Sequence, residues 1–281
     1  MKLPKISSPS DPLSFVLRAL VWLATASTTL VFVSIVGYVL IKGVPNLTLS
    51  LFSLTYNSEN VSLFPALINT IGITALSLLV AVPLGVFSAV YTVEYARRGN
   101  KLVKIVRMTA ETLSGIPSIV YGLFGFLFFV SALGWGYSML AGIFTLAIMI
   151  LPLIMRTTEE ALQAVPDSFR EGSFGLGAGR LRTVFKIVLP AAQPGILAGI
   201  ILAVGRIVGE TAALIYTSGT VAKIPGSLLE SGRTLSVHMY ALASEGLYID
   251  QTYATAVVLL VIVTGINALS SYLARRLTRE R

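Results

Sequence analysis

Arg206 and Glu210 stand four residues apart in a run otherwise built of Gly, Ala, Ile, Leu and Val. On a helix that spacing stacks them on one face, where they can pair. In a bilayer each unpaired charge near the midplane costs about 2.5–3.5 kcal/mol on insertion scales, so such residues are retained for a reason. Two readings follow. The pair fixes how helices pack, or it binds an anion on its way through. The anion reading has a chemistry of its own: the arginine fork suits a tetrahedral oxyanion. A carboxylate beside it can accept from the P–OH groups that phosphate keeps at neutral pH, whereas sulfate has none to offer. A second pair, Arg156 and Glu159, lies one turn apart at the end of another apolar run. It reads either as an inner ion-pair gate or as a snorkelling arginine with its neighbour.

These residues need a membrane to make sense of them, and the composition supplies it. Of 281 residues 55% are hydrophobic and 12% charged, and the mean hydropathy is +0.83. A soluble chain carries about 25% charged residues. The fold class expected is an all-α integral membrane protein with six transmembrane helices, since only helices close all their backbone hydrogen bonds within one segment. The spans read as 18–41, 63–91, 113–133, 138–155, 195–217 and 252–273. Seventeen of the twenty-one Lys and Arg fall before or at the start of span one, in the second and fourth connections, or after span six. The positive-inside rule then places both termini and those connections in the cytoplasm. The formal charge of +8 is spread in these flanking clusters, which excludes a nucleic-acid-binding face. With no cysteine, thiol and disulfide chemistry are excluded too. The lone histidine, His238, reads as a packed or surface residue of an outward loop, and no metal site is expected.

The chain divides into a cytoplasmic segment 1–17, a first helix and outward loop 18–62, a transport core 63–274 and a tail 275–281. Within the core, the connection 156–194 is too structured for a linker. Thr158 to Leu162 starts a short helix ending before Pro166, and Asp167 caps a second one. A small-residue stretch, Gly172–Gly179, turns the chain. Helical spacing resumes through Leu181, Val184, Phe185 and Val188, and Pro190 and Pro194 are expected to end that helix ahead of span five. Glu171-Gly172-Ser173, Gly177, Ile187 and Leu189-Pro190 keep every spacing of the Glu-Ala-Ala loop of ABC-importer permeases, which this connection resembles. The resemblance implies a type I ABC importer permease fold whose cytoplasmic coupling helix fits a cleft on a separate ATPase. No Gly-x-x-x-x-Gly-Lys-Ser/Thr occurs here, so ATP and Mg²⁺ belong to that partner, and no cofactor or catalytic residue is expected in this chain.

Gly115-Ile-Pro-Ser-Ile-Val-Tyr-Gly-Leu-Phe-Gly125, which reads as an irregular or tightly packed helix, and Arg206-Ile-Val-Gly-Glu-Thr-Ala212 are similar to segments of the phosphate-specific permeases of the Pst system. The similarity is closer to the PstA type than to the PstC type. It implies phosphate translocation, with Arg206, Glu210 and Thr211, and also Arg156 and Glu159, at the family's transport positions. It also implies a PstC-like second permease, two copies of a PstB-like ATPase and a PstS-like extracytoplasmic binding protein, besides membrane lipid. An importer of sulfate, molybdate or tungstate is the alternative within the class. An ion-coupled secondary carrier is the alternative outside it, and would have no ATPase to grip.

Overall fold

The apolar runs fold as helices, and a computed structural model describes residues 12–97 and 99–279. Lys2, Lys5, Arg98 and Arg281, four of the basic residues behind the topology reading, lie outside the described residues. Helix α1 (Pro12–Gly43) is followed, after two short 3₁₀ turns, by α2 (Phe64–Val90), which continues as a π turn, Tyr91–Tyr95. Then come α3 (Lys101–Ser114), α4 (Ser118–Gly125) with its π extension Phe126–Ala132, and α5 (Met139–Gln163). The chain continues through α6 (Asp167–Gly175) and α7 (Arg180–Thr183), a third π turn Val184–Val188, α8 (Leu189–Val208), α9 (Ala212–Thr217), α10 (Leu235–Glu245) and α11 (Ile249–Arg279). Among the described residues there is no β-strand. Five helical stretches are long and apolar enough to cross a membrane, or six if the bent pair α3–α4 counts as one.

The core is a sandwich of α2, α5 and α8, with Ile73, Leu146, Met149, Ile150, Ile154, Ala203 and Ile207 buried between them. Inside lipid the hydrophobic effect does not hold helices together, so close packing has to. Gly195 and Gly199 show how: a Cβ on Gly199 would stand 2.0 Å from Thr157 Oγ1, and one on Gly195 2.7 Å from Ala161 Cβ. The Gly195-x-x-x-Gly199 pair is therefore the groove in which α8 lies on α5. Gly122 and Gly125 do the same for α4 against α9 and α5. Helix α1 stays outside this core. It leans on α11, through Gly43 against Tyr253 and Val257 and through the edge-to-face rings of Tyr38 and Tyr253.

Three spans depart from their sequence boundaries, each for a local reason. The expected third span is broken: α3 and α4 meet at 104° around Gly115–Pro117, where a proline keeps its predecessor out of helical geometry. Tyr121 clamps the bend by donating its hydroxyl to the Leu113 carbonyl at 2.8 Å. The fourth span does not stop at Met155, and no separate helix starts at Thr158. One helix of 25 residues runs through Pro152 to Gln163. The fifth begins with α7 and not at Gly195, because neither Pro190 nor Pro194 stops it. Both prolines are carried inside one helical run, Pro190 where the π turn Val184–Val188 passes into α8 and Pro194 a turn further on.

Candidate translocation site and coupling helix

At the end of α5 the chain turns at Pro166 into α6, the isolated short helix expected from Asp167. Its attachment rests on Arg170, whose guanidinium is largely buried. Nη2 reaches Glu94 Oε1 at 2.7 Å and the Leu162 carbonyl at 2.9 Å, and Nη1 reaches the Val165 carbonyl at 2.8 Å. One carbonyl lies in the last turn of α5, where it also accepts the Val165 amide at 3.3 Å, and the other just beyond the helix, so Arg170 ties down the end of α5 while pairing with the π turn after α2. The pairing with Glu94 raises the guanidinium pKa above its ordinary value. On the other side of α6, buried Ser173 shares a hydrogen bond of 2.8 Å with Thr183 of α7. The turn between them passes through Gly177 at φ +81° with open space around it. The constraint at Gly177 in this chain is thus the left-handed backbone, which any L side chain would strain, and not a lack of room. Gly172 also faces open space, and Glu171 is exposed. Ile187, Leu189 and Pro190 are half-buried where α7 becomes α8. Phe169, Phe174 and Leu176 stand exposed around α6, Leu176 at 92%.

Arg206 and Glu210 do not pair. Helix α8 ends at Val208 and the chain breaks over Gly209–Thr211 before α9, so the four-residue stacking of one continuous helix is lost. Buried Glu210 turns to α9 and accepts the Ala213 amide on Oε1 at 3.0 Å. Its carbonyl accepts the Ser236 hydroxyl of α10 at 2.5 Å. Arg206, half-buried in the last turn of α8, makes no hydrogen bond or ion pair among the described residues, though its charge acts on the Tyr121 hydroxyl of α4. Its position suits a cation, since the C-terminal end of a helix carries partial negative charge. Gly205 and Gly209, again four residues apart, leave it room: a Cβ placed on Gly205 would meet no atom of another element within 4 Å. Thr211 sits in the break itself, half-buried.

Arg156 and Glu159 do not pair either. Arg156 forms an exposed pair with Glu160 at 3.0 Å, the i, i+4 partner. Glu159 faces the other way and is held by Arg107 of α3 at 3.0 Å and by the Thr92 hydroxyl of the first π turn. All four charged residues line one cavity of about 200 Å³ between α3 and the end of α5. Sequence reasoning missed Arg107, Glu94 and Arg170 as partners. A lone carboxylate at the end of an apolar run, Glu94, is the one signal that could have prompted a search for its cation.

The chain thus breaks between α8 and α9, holds Arg206 there without a partner among the described residues, and carries a short helix, α6, beyond the end of α5. Residues 81–279 match the family of binding-protein-dependent transport system inner membrane components, and the chain belongs to that family. It is 35% identical to the "Probable ABC transporter permease protein YqgI" of Bacillus subtilis (strain 168), over 81% of this chain and 82% of that one. It is 33% identical to the "Phosphate transport system permease protein PstA 1" of Mycobacterium tuberculosis (strain CDC 1551 / Oshkosh), over 78% and 72%. Among solved structures, a bacterial alginate ABC transporter in complex with its alginate-bound periplasmic protein superposes with a TM-score of 0.65 at 18% identity, over 95% of this chain and 98% of that one. The chain is thus a multi-pass inner-membrane permease with the type I ABC importer fold, a component of systems in which a binding protein and an ATPase are separate polypeptides.

Proposed function

We propose that this permease passes inorganic phosphate inward. The observation that supports phosphate most directly is the chemistry at the α8–α9 break. Arg206 has an uncommitted donor fork, and Glu210 keeps Oε2 without a hydrogen bond among the described residues. Donors on one side and an acceptor on the other suit an oxyanion that still carries a proton. The relatives named for phosphate transport support the same reading. Its partners in this reading are a PstC-like permease, two PstB-like ATPase subunits that consume ATP with Mg²⁺, and a PstS-like binding protein. Helix α6, with Phe169, Phe174 and Leu176 exposed, is the surface the ATPase grips, and Glu171 to Pro190 its frame. Closure of the ATPase dimer on ATP moves α6, and the permease pair opens outward to take phosphate, returning inward after hydrolysis. The test is uptake of labelled phosphate into proteoliposomes holding the complete complex. ATP-driven phosphate uptake that tenfold sulfate fails to compete is expected. Equal uptake of sulfate would transfer the reading to oxyanions in general.

The reading also places α6, both termini and the α3 side of the molecule in the cytoplasm. Because the chain has no cysteine, single reporters are clean. Cys at Asn57 is expected to react with an impermeant thiol reagent in intact cells, and Cys at Asn100 only after lysis. Labelling of Asn100→Cys from outside would invert the topology.

A further inference from the structure

At the end of the molecule opposite α6, two polar side chains are buried with nothing to bond. Arg233 is 4% exposed and His238 0% exposed. Seven buried side-chain atoms among the described residues lack a hydrogen-bond partner, and four belong to these two: Arg233 Nε and Nη2, and both ring nitrogens of His238. The backbone around them is fully engaged. Arg233 donates its amide to Val221, its carbonyl accepts Asn69 Nδ2, and the His238 amide bonds Thr234. The two side chains share one neighbour, the half-buried ring of Tyr56, with the guanidinium 4.7 Å above its centroid and the imidazole edge-on at 6.1 Å. Val61 closes the other side at φ +45°, a conformation a β-branched residue rarely holds. Its backbone lies beside the imidazole without forming a hydrogen bond of normal geometry.

A buried cation with neither carboxylate nor carbonyl to meet it is costly, and buried donors left unmet on Nε and Nη2 point to a missing anion or water. No carboxylate pairs with Arg233 among the described residues. We propose that Arg233 and His238 form a second oxyanion site, on the outward side, that the transported ion occupies before it reaches Arg206. The identity of the ion rests on the phosphate reading above. Arg233 supplies N–H donors to the oxygens. Burial and the nearby Arg233 charge drive the His238 pKa down to about 3, so the ring is neutral at working pH. It then offers one donor and one acceptor, and the acceptor can take a P–OH. Ser236 links the site to the centre, since its hydroxyl donates to the Glu210 carbonyl at 2.5 Å. Tyr56 covers the cluster, so an ion enters when that ring swings away.

The test uses the assembled complex in nanodiscs without its binding protein, in an Arg206→Met background that silences the central site. The thermal midpoint is followed against inorganic phosphate, with sulfate and chloride as controls. Phosphate is expected to raise the midpoint. Arg233→Gln should weaken the apparent affinity about ten- to a hundredfold, the loss of one charge-assisted hydrogen bond or two. His238→Leu should weaken it, and His238→Gln, which keeps a donor and an acceptor, should restore part of it. A midpoint that ignores phosphate overturns the site. So does an Arg233→Gln variant that is less stable at every phosphate concentration but binds with unchanged affinity, which would make the cluster structural. Phosphate uptake by the unsubstituted complex is scored separately. Uptake without Arg233-dependent binding removes this site and leaves the importer reading standing.

Discussion

Arg206→Met is expected to reduce phosphate uptake by the assembled complex to background while leaving the chain folded and paired with its second permease. The reason is the absence of a protein partner. Where two buried charges bond each other, deleting one strands the other and destabilises the fold by about 3–5 kcal/mol. Arg206 has no such partner among the described residues, so its removal strands nothing and relieves the cost of a charge at membrane depth. Loss of transport with retained assembly therefore isolates binding from packing. Arg206→Lys keeps the charge but not the planar fork and is expected to retain a few per cent of uptake. Glu210 behaves differently because it caps α9. Glu210→Gln preserves an oxygen for the Ala213 amide and should assemble, with its preference for phosphate over sulfate weakened. Glu210→Leu loses the cap as well, at a cost of about 1 kcal/mol. Uptake and gel filtration on the same preparations decide the matter, and normal uptake by Arg206→Met would remove the central anion site.

The second large effect is expected at Arg170. Truncation to alanine leaves buried Glu94 without its cation and the Val165 carbonyl without its Arg170 donor, while the Leu162 carbonyl keeps only the Val165 amide at 3.3 Å. Breaking a buried pair of this kind costs about 3–5 kcal/mol, and the lost carbonyl bonds add to it. Arg170→Ala should lower the thermal midpoint of the complex sharply, or prevent its purification with the ATPase attached. Glu94→Leu combined with Arg170→Met removes both charges and should recover part of the stability, but not all, because methionine cannot tie down the end of α5. If the rescued double variant also hydrolyses ATP without phosphate uptake, the pair is the strut between coupling helix and span two. A double variant that transports normally would reduce the pair to local packing.

Hydropathy made the spans legible because a bilayer tolerates little but apolar helix, and the Pro166–Asp167 start made α6 legible, although Asp167 does not cap it: it is the first helical residue, and its carboxylate accepts from Arg170. Prolines misled the reading of 190 and 194. In water a proline ends a helix, whereas between packed membrane helices it is carried through. The Arg206–Glu210 stack failed for the opposite reason. Spacing assumes an unbroken helix, and the three residues after Val208 leave it. The pairs Glu94–Arg170 and Arg107–Glu159 lie 76 and 52 residues apart, set by the bundle's topology and by no periodicity along the chain. Arg156 shows the limit in miniature: Glu159 and Glu160 are both within a turn, and only the packing of α3 decides which is taken.

The bend at Gly115–Pro117 sets how thick a barrier this permease presents. Beyond it only eight α-helical and seven π-helical residues remain to cross, at most about 22 Å even at the α-helical rise of 1.5 Å per residue. The hydrocarbon layer is about 30 Å deep. The difference, about 8 Å, falls on the side where α3 turns away and Arg107, Glu111, Arg156 and Glu159 line their cavity. If that side faces the cytoplasm and Arg206 holds the ion, as proposed above, water entering the cavity brings aqueous surroundings to a released solute before it clears the plane of the lipid headgroups. In that reading the insulating layer to be opened and resealed at each turnover is the length of the α4 segment, thinner than the membrane around it.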